Sequence, residues 1–169
     1  MTNYFQVFDL APRVAIDVAD LQARYEQIIL LCHPDKYAGA PAFEQRAAAK
    51  RAADVNQAYE VLAHTVARAG HLLALRGVDI QSLERQPASP DFLFEQMTLR
   101  EEVQMLNTLT DAEAVALSER ITTAYDDAKN KFAYYFDADD LAAASSAWVE
   151  LHYQHKLTDE LSRAKRQVS

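Results

Sequence analysis

Ile28-Ile29-Leu30-Leu31-Cys32-His33-Pro34-Asp35-Lys36 is the stretch that decides the fold of this chain. Its first half ends a helix. Val18, Leu21, Tyr25, Ile28 and Cys32 recur at steps of three and four, the period of one helical face. Asp17 stands where an N-cap belongs, with Asp20 in the first turn. Pro34 stops the helix, because the residue before a proline is pushed out of the α region. His33 through Pro41 then reads as a loop. From Ala42 a second long helix is expected to about Ala63, with Phe43, Ala47 or Ala48, Val55, Tyr59 and Leu62 as its apolar stripe. Two long helices joined by so short a loop pack as an antiparallel hairpin, and His33-Pro34-Asp35-Lys36 lies at its tip.

Working outward, Tyr4-Phe5-Gln6-Val7-Phe8 predicts one or two helical turns ending before Pro12. Downstream, Thr65 to Leu75 predicts a further helix closed by Gly77. Residues 78–90 lose periodicity and hold Pro87, Ser89 and Pro90, which predicts a linker. Three more helices follow. Asp91 is a cap for the first, which runs to about Leu106. Thr110-Asp111-Ala112-Glu113 has capping-box spacing and opens the second, to about Phe136. Its apolar side is Val115 or Leu117, then Ile121, Tyr125, Ala128, Phe132 and Tyr135. Asp139 or Asp140 opens the last, with Leu141, Ala144, Trp148 and Leu151 apolar, reaching about Lys165. Short connections make these an antiparallel bundle. The fold class expected is all-α, with residues 1–77 as an N-terminal hairpin domain and 91–169 as a C-terminal three-helix bundle.

Composition narrows the function. Three glycines, five prolines and abundant Ala, Leu, Glu, Gln and Arg fit an all-helical chain. One cysteine, Cys32, rules out a disulfide framework, a cysteine-based zinc ribbon and an intrinsic iron–sulfur site. No apolar run approaches the ~20 residues of a membrane span. The start lacks the basic-then-apolar pattern of a secretory signal. The expectation is a soluble, cytoplasmic protein without membrane contact. Residues 1–77 hold 8 Lys/Arg against 8 Asp/Glu, while residues 78–169 hold 9 against 17 and carry the whole net charge of -8. An acidic chain is a poor match for nucleic acid, and the asymmetry points to two units with different partners.

No enzymatic constellation stands out. His152 and His155 have helical metal-ligand spacing, but no nearby cysteine or third histidine completes a site. Cys32 lies on an apolar stripe and reads as core. No catalytic residue, metal or cofactor is expected.

The hairpin with its His-Pro-Asp loop, followed by Asn56-x-Ala58-Tyr59-x-x-Leu62, resembles the J-domain family. With the extension Ala67-Arg68-Ala69-Gly70-His71-Leu72-Leu73-Ala74-Leu75-Arg76-Gly77 and the stretch Phe92-Leu93-Phe94-Glu95-Gln96-Met97-Thr98-Leu99-Arg100-Glu101-Glu102, the resemblance narrows to the HscB family, the J-proteins of iron–sulfur cluster assembly. It covers essentially the full chain. It implies a co-chaperone, not an enzyme. Its loop would bind a DnaK-class chaperone of the HscA type and stimulate ATP hydrolysis. Its bundle would bind an IscU-type cluster scaffold.

Carried over, His33, Pro34, Asp35, Lys36 and Arg24 are the chaperone-binding residues. Leu93, Phe94, Met97, Glu101 and Tyr153 are the scaffold-binding residues. Geometry gives an independent reason for the second set: at about 100° per residue, Leu93, Phe94 and Met97 lie roughly opposite the stripe of Phe92, Leu99, Val103 and Leu106. Thr98 stands where the family carries an acidic residue, and Tyr153 where it often carries phenylalanine. J-domains also present a basic second helix, whereas residues 18–32 hold one basic residue, Arg24. Arg46, Lys50 and Arg51 on the following helix are the candidates to compensate. Two other readings stay open: a J-domain co-chaperone with a different client, and a helical regulatory protein with a degenerate J-domain.

Overall fold

The computed structural model describes residues 2–168, and all of their side chains except those of Pro34 and Val168. Its elements are α1 (Tyr4–Val7), α2 (Val18–Cys32), α3 (Ala42–Ala63), α4 (Thr65–Leu75), α5 (Ile80–Leu83), α6 (Pro90–Gln104), α7 (Asp111–Asp137) and α8 (Leu141–Val168). Short 3₁₀ turns cover Pro34–Tyr37 and Leu106–Thr108. The helices divide into two compact units, Met1–Arg76 and Gly77–Ser169.

In the first unit, α2 and α3 form the hairpin. The Asp17 carboxylate accepts the Ala19 and Asp20 N–H groups and starts α2. Tyr25 donates its hydroxyl to Asn56 Oδ1 at 3.0 Å and stacks on Tyr59 with ring centroids 4.3 Å apart. Ala58 and Leu62 are fully buried. Asn56 and Tyr59 of the Asn-x-Ala-Tyr-x-x-Leu pattern thus meet α2, and Ala58 and Leu62 lie in the core of the unit. Phe43, expected on the same stripe, is exposed instead, and Ala48, Ala52 and Val55 continue the buried face. The cause is phase: about 100° per residue places position 43 some 180° from position 52. α1 ends earlier than Pro12 would make it, because Asp9 takes a positive φ of 51° directly after the C-cap Phe8.

Two buried polar residues complete this unit. The Arg68 guanidinium donates to the Val14 carbonyl at 3.0 Å and to the Leu62 carbonyl. It thereby fastens the segment between α1 and α2 onto the end of α3. His71 lies under α1, stacked on Tyr4 with centroids 4.5 Å apart. Beyond α4, Gly77 takes φ 85°, a conformation that suits glycine at a helix end.

The stretch expected as a linker, residues 78–90, contains α5, which Asp79 caps through the Gln81 and Ser82 N–H groups; Leu83 is buried. A single turn has too few residues to show helical periodicity. α6 starts at Pro90 with Ser89 as its cap, so Asp91 is a first-turn acid rather than the cap. α7 opens on a full capping box between Thr110 and Glu113, whose carboxyl pKa is lowered by the hydrogen bonds it accepts from Thr110. Leu99, Val103, Leu106, Leu117, Ile121, Leu157 and Leu161 form one core cluster of the bundle. Each such buried side chain contributes about 1.5–3 kcal/mol. On α7, Leu117 is buried and Val115 exposed, while Phe136 is buried rather than Tyr135. Ion pairs link each pair of helices: Arg120 to Glu102 at 2.7 Å, Arg100 to Glu160 at 3.0 Å and Lys131 to Glu150 at 2.7 Å.

Candidate functional site

The hairpin tip is a fastened turn. His33 leaves α2 with extended backbone and acts as N-cap of the 3₁₀ turn, its Nδ1 accepting the Asp35 N–H at 3.4 Å. Pro34 takes the first turn of that helix, where a missing N–H costs nothing. The Lys36 N–H donates to the His33 carbonyl at 3.0 Å. Two residues not singled out from the sequence hold the turn in place. The Tyr37 hydroxyl donates to the Leu31 carbonyl at 3.3 Å, at the end of α2. The Gln45 side-chain amide, on α3, donates to the Ala40 carbonyl at 2.9 Å and to the Ala38 carbonyl at 3.3 Å.

The result is a fastened turn that presents an exposed carboxylate. The Asp35 side chain is 90% exposed, and half-exposed His33 stands beside it, with Nδ1 3.6 Å from Oδ2. Such a carboxylate keeps most of its acceptor capacity for a partner's arginine or lysine. Lys36 is exposed beside it. The turn can bind a cationic group on another protein.

Arg24 sits differently. Its guanidinium donates to Asp20 at 2.9 Å and to the carbonyls of Phe8 and Asp9 at 3.0 and 3.2 Å. It ties α1 to α2, on the face of the hairpin rather than at the tip. Arg46, Lys50 and Arg51 are exposed along α3, with Arg46 bonded back to the Ala42 carbonyl at 3.2 Å.

On the bundle, the two sides of α6 separate as expected. Leu99 and Val103 are buried, while Phe94 and Met97 are 74% and 61% exposed. Leu93 is half-buried and Glu101 exposed on the same helix. Tyr153, on α8, meets α6 at Phe92, edge to face with centroids 5.9 Å apart. Gln96 lies on the core side, about 20° from Val103 around the helix, and is buried at 1%; its phase marks it as core, although an amide is not the side chain expected there. Among the described residues, no group of three His, Cys, Asp or Glu is arranged to hold a metal ion. His152 tilts over Trp148, and His155 leans toward Tyr125 and Asp159. Among those residues, too, no helix is long and apolar enough to cross a membrane.

A helical hairpin with a His-Pro-Asp-Lys turn, joined in one chain to a three-helix bundle, defines a J-domain co-chaperone. Residues 88–162 match the family model described as the HSCB C-terminal oligomerisation domain. The chain is 32% identical over 168 residues to the co-chaperone protein HscB homolog of Shewanella loihica, covering 96% of this chain and 97% of that one. It superposes on the chaperone HscB from Vibrio cholerae with a TM-score of 0.89 and 28% identity, over 99% of this chain and 100% of the other. The human co-chaperone HscB shares the fold at a TM-score of 0.89, with 24% identity, over 98% of this chain and 83% of that one. The chain belongs to the HscB family of co-chaperones, which serve iron–sulfur cluster assembly.

Proposed function

We propose that this protein binds an IscU-type cluster scaffold through its bundle and delivers it to an HscA-type DnaK-class chaperone, whose ATPase it stimulates through the turn. The observation that carries this reading is the Asp35 carboxylate, almost fully exposed on a turn fastened to both hairpin helices. His33, Pro34, Asp35 and Lys36 form the chaperone contact, with Arg24 behind them keeping α1 in place. Leu93, Phe94, Met97, Glu101 and Tyr153 form the scaffold contact. A helix packed on one side needs only one apolar face, and the second apolar face of α6 supports a partner there. Methionine suits that contact because it adapts its shape.

The mechanism is one of effective concentration. One chain holds client and chaperone together, so their encounter becomes intramolecular. The turn then favours the hydrolysis-competent state of the chaperone. The chain itself makes and breaks no bond.

Co-precipitation with the tagged full chain tests both contacts separately. Asp35→Asn is expected to lose the chaperone and keep the scaffold. Phe94→Ala/Met97→Ala is expected to lose the scaffold and keep the chaperone. Retention of both partners by both variants would refute the assignment.

A further inference from the structure

α3 begins without a side-chain cap. Its N-cap is Pro41, whose ring offers no acceptor to the first N–H groups of the helix. The side chain that bridges helix and turn runs the other way. Gln45, in the first turn of α3, sends its amide back to the Ala40 carbonyl at 2.9 Å and to the Ala38 carbonyl at 3.3 Å. Both partners are acceptors, so the atom that faces them is the nitrogen, and two bonds use both of its hydrogens. Gln45 is exposed, so this contact is no part of the core.

Each of those carbonyls belongs to a residue that is itself bonded onward. The Ala38 N–H donates to the Asp35 carbonyl at 3.4 Å, and the Ala40 N–H to the Tyr37 carbonyl at 2.9 Å. The Tyr37 hydroxyl in turn donates to the Leu31 carbonyl at 3.3 Å. Two chains of hydrogen bonds therefore start at Gln45. One passes through Ala38 and ends on Asp35. The other passes through Ala40 and Tyr37 and ends on α2. Bonds linked in this way polarise and strengthen one another.

We infer that Gln45 is a positioning residue for Asp35: its amide holds the exit of the turn, and with it the direction in which the carboxylate meets the chaperone. This rests on the reading under Proposed function. Gln45 acts through the backbone of Ala38 and Asp35, not by touching the partner. A turn already held in its binding geometry loses less conformational freedom when it binds. Without the amide, residues 38–40 lose their tie to α3, and the chaperone has to order Asp35 as it binds. The role falls on affinity, because the carboxylate itself is unchanged.

The test is ATP hydrolysis by a purified HscA-type chaperone titrated with the full chain. About 0.3 M salt screens the charge that one variant adds. Gln45→Met keeps an unbranched, helix-forming side chain and has no donor. Gln45→Lys restores a donor of similar reach. Gln45→Met is expected to need about tenfold more protein for half-maximal stimulation, equivalent to about 1.4 kcal/mol. Its maximal stimulation and its circular-dichroism melting curve should match the wild type. Gln45→Lys is expected to recover most of the loss. In the free protein, nuclear magnetic resonance should show the Ala38 and Ala40 N–H groups exchanging with solvent faster in Gln45→Met than in the wild type.

A half-maximal concentration unchanged in Gln45→Met, with stimulation still abolished by Asp35→Asn, would overturn this inference and leave the functional reading standing. A raised concentration with unchanged exchange at Ala38 and Ala40 would make Gln45 a direct contact, against the inference. Gln45→Lys no better than Gln45→Met would also count against it. A lowered melting temperature together with lowered maximal stimulation would assign Gln45 to the fold instead. No stimulation by the wild type would overturn both readings.

Discussion

His71 Nε2 accepts the backbone N–H of Tyr4 at 3.1 Å while the two rings stack, so a histidine of α4 caps the first turn of α1 across 67 residues of sequence. The acceptor must be the unprotonated nitrogen, which requires a neutral imidazole. Burial agrees, lowering the His71 pKa from its ordinary 6.5. The unfolded chain then binds the proton more readily than the folded one. The contribution is full above the unfolded pKa, and it falls as the pH drops from there toward the lowered folded value. Thermal melts of the full chain at about pH 7.5 and about pH 5 should show the wild type losing more stability than His71→Phe. Equal losses would mean that His71 is not the proton-linked group. His152, also lowered by burial and by Lys156 and His155 against an opposing Glu84, is common to both proteins.

Arg68 and Arg24 both donate to backbone carbonyls, but their substitutions should differ in cost. Arg68 is buried, and Arg68→Met leaves the carbonyls of Val14 and Leu62 without this donor. A loss of about 2–3 kcal/mol is expected in urea unfolding. Arg24 is partly exposed, and Arg24→Ala lets water replace much of what is lost. About 1 kcal/mol is expected there. A larger loss for Arg24→Ala than for Arg68→Met would contradict this assignment of roles.

Lys50 and Arg51 are exposed on α3, where positive charge can steer an acidic partner. Lys50→Glu/Arg51→Glu should slow association with the chaperone severalfold at low salt and make the rate less salt-dependent, as read by stopped-flow binding. If this variant binds as the wild type does while Arg24→Ala abolishes stimulation without unfolding, α3 does not compensate for the missing basic residues of α2.

Phe94 and Met97 stand clear of the bundle core. Leu93→Ala/Phe94→Ala/Met97→Ala should therefore leave the melting temperature within a few degrees of the wild type while raising the scaffold dissociation constant by at least about 100-fold. Scaffold binding at wild-type strength, measured by calorimetry, would remove α6 from that role.

Local signals carried much of this architecture. The capping box at Thr110 and Glu113, the cap at Asp17 and the Asn56–Leu62 pattern each act within a few residues, and each is found in place. The misreadings came from phase and from distance along the chain. On α7, Leu117 lies about 40° from Ile121 around the helix and Val115 about 120°, so helical phase favours Leu117, the buried one. The burial of Arg68 and His71 comes from tertiary packing against residues far along the chain, which no local pattern reports. The carbonyls that Arg24 holds lie 15 and 16 positions upstream, beyond the reach of a local pattern. At the turn, His-Pro-Asp was legible, but Tyr37 and Gln45, which fasten it, carried no motif.

The proposed function joins two roles in one chain, an exposed Asp35 that drives a chaperone and a bundle that holds its client. The most direct measurement is the steady-state ATPase of an HscA-type chaperone with this protein, with and without an IscU-type scaffold, for the wild type and Asp35→Asn. Stimulation by the wild type is expected, more than additive with scaffold, and both are expected to be lost in Asp35→Asn. Stimulation without scaffold synergy would point to a different client. No stimulation by the wild type, or full stimulation by Asp35→Asn, would refute the proposed function.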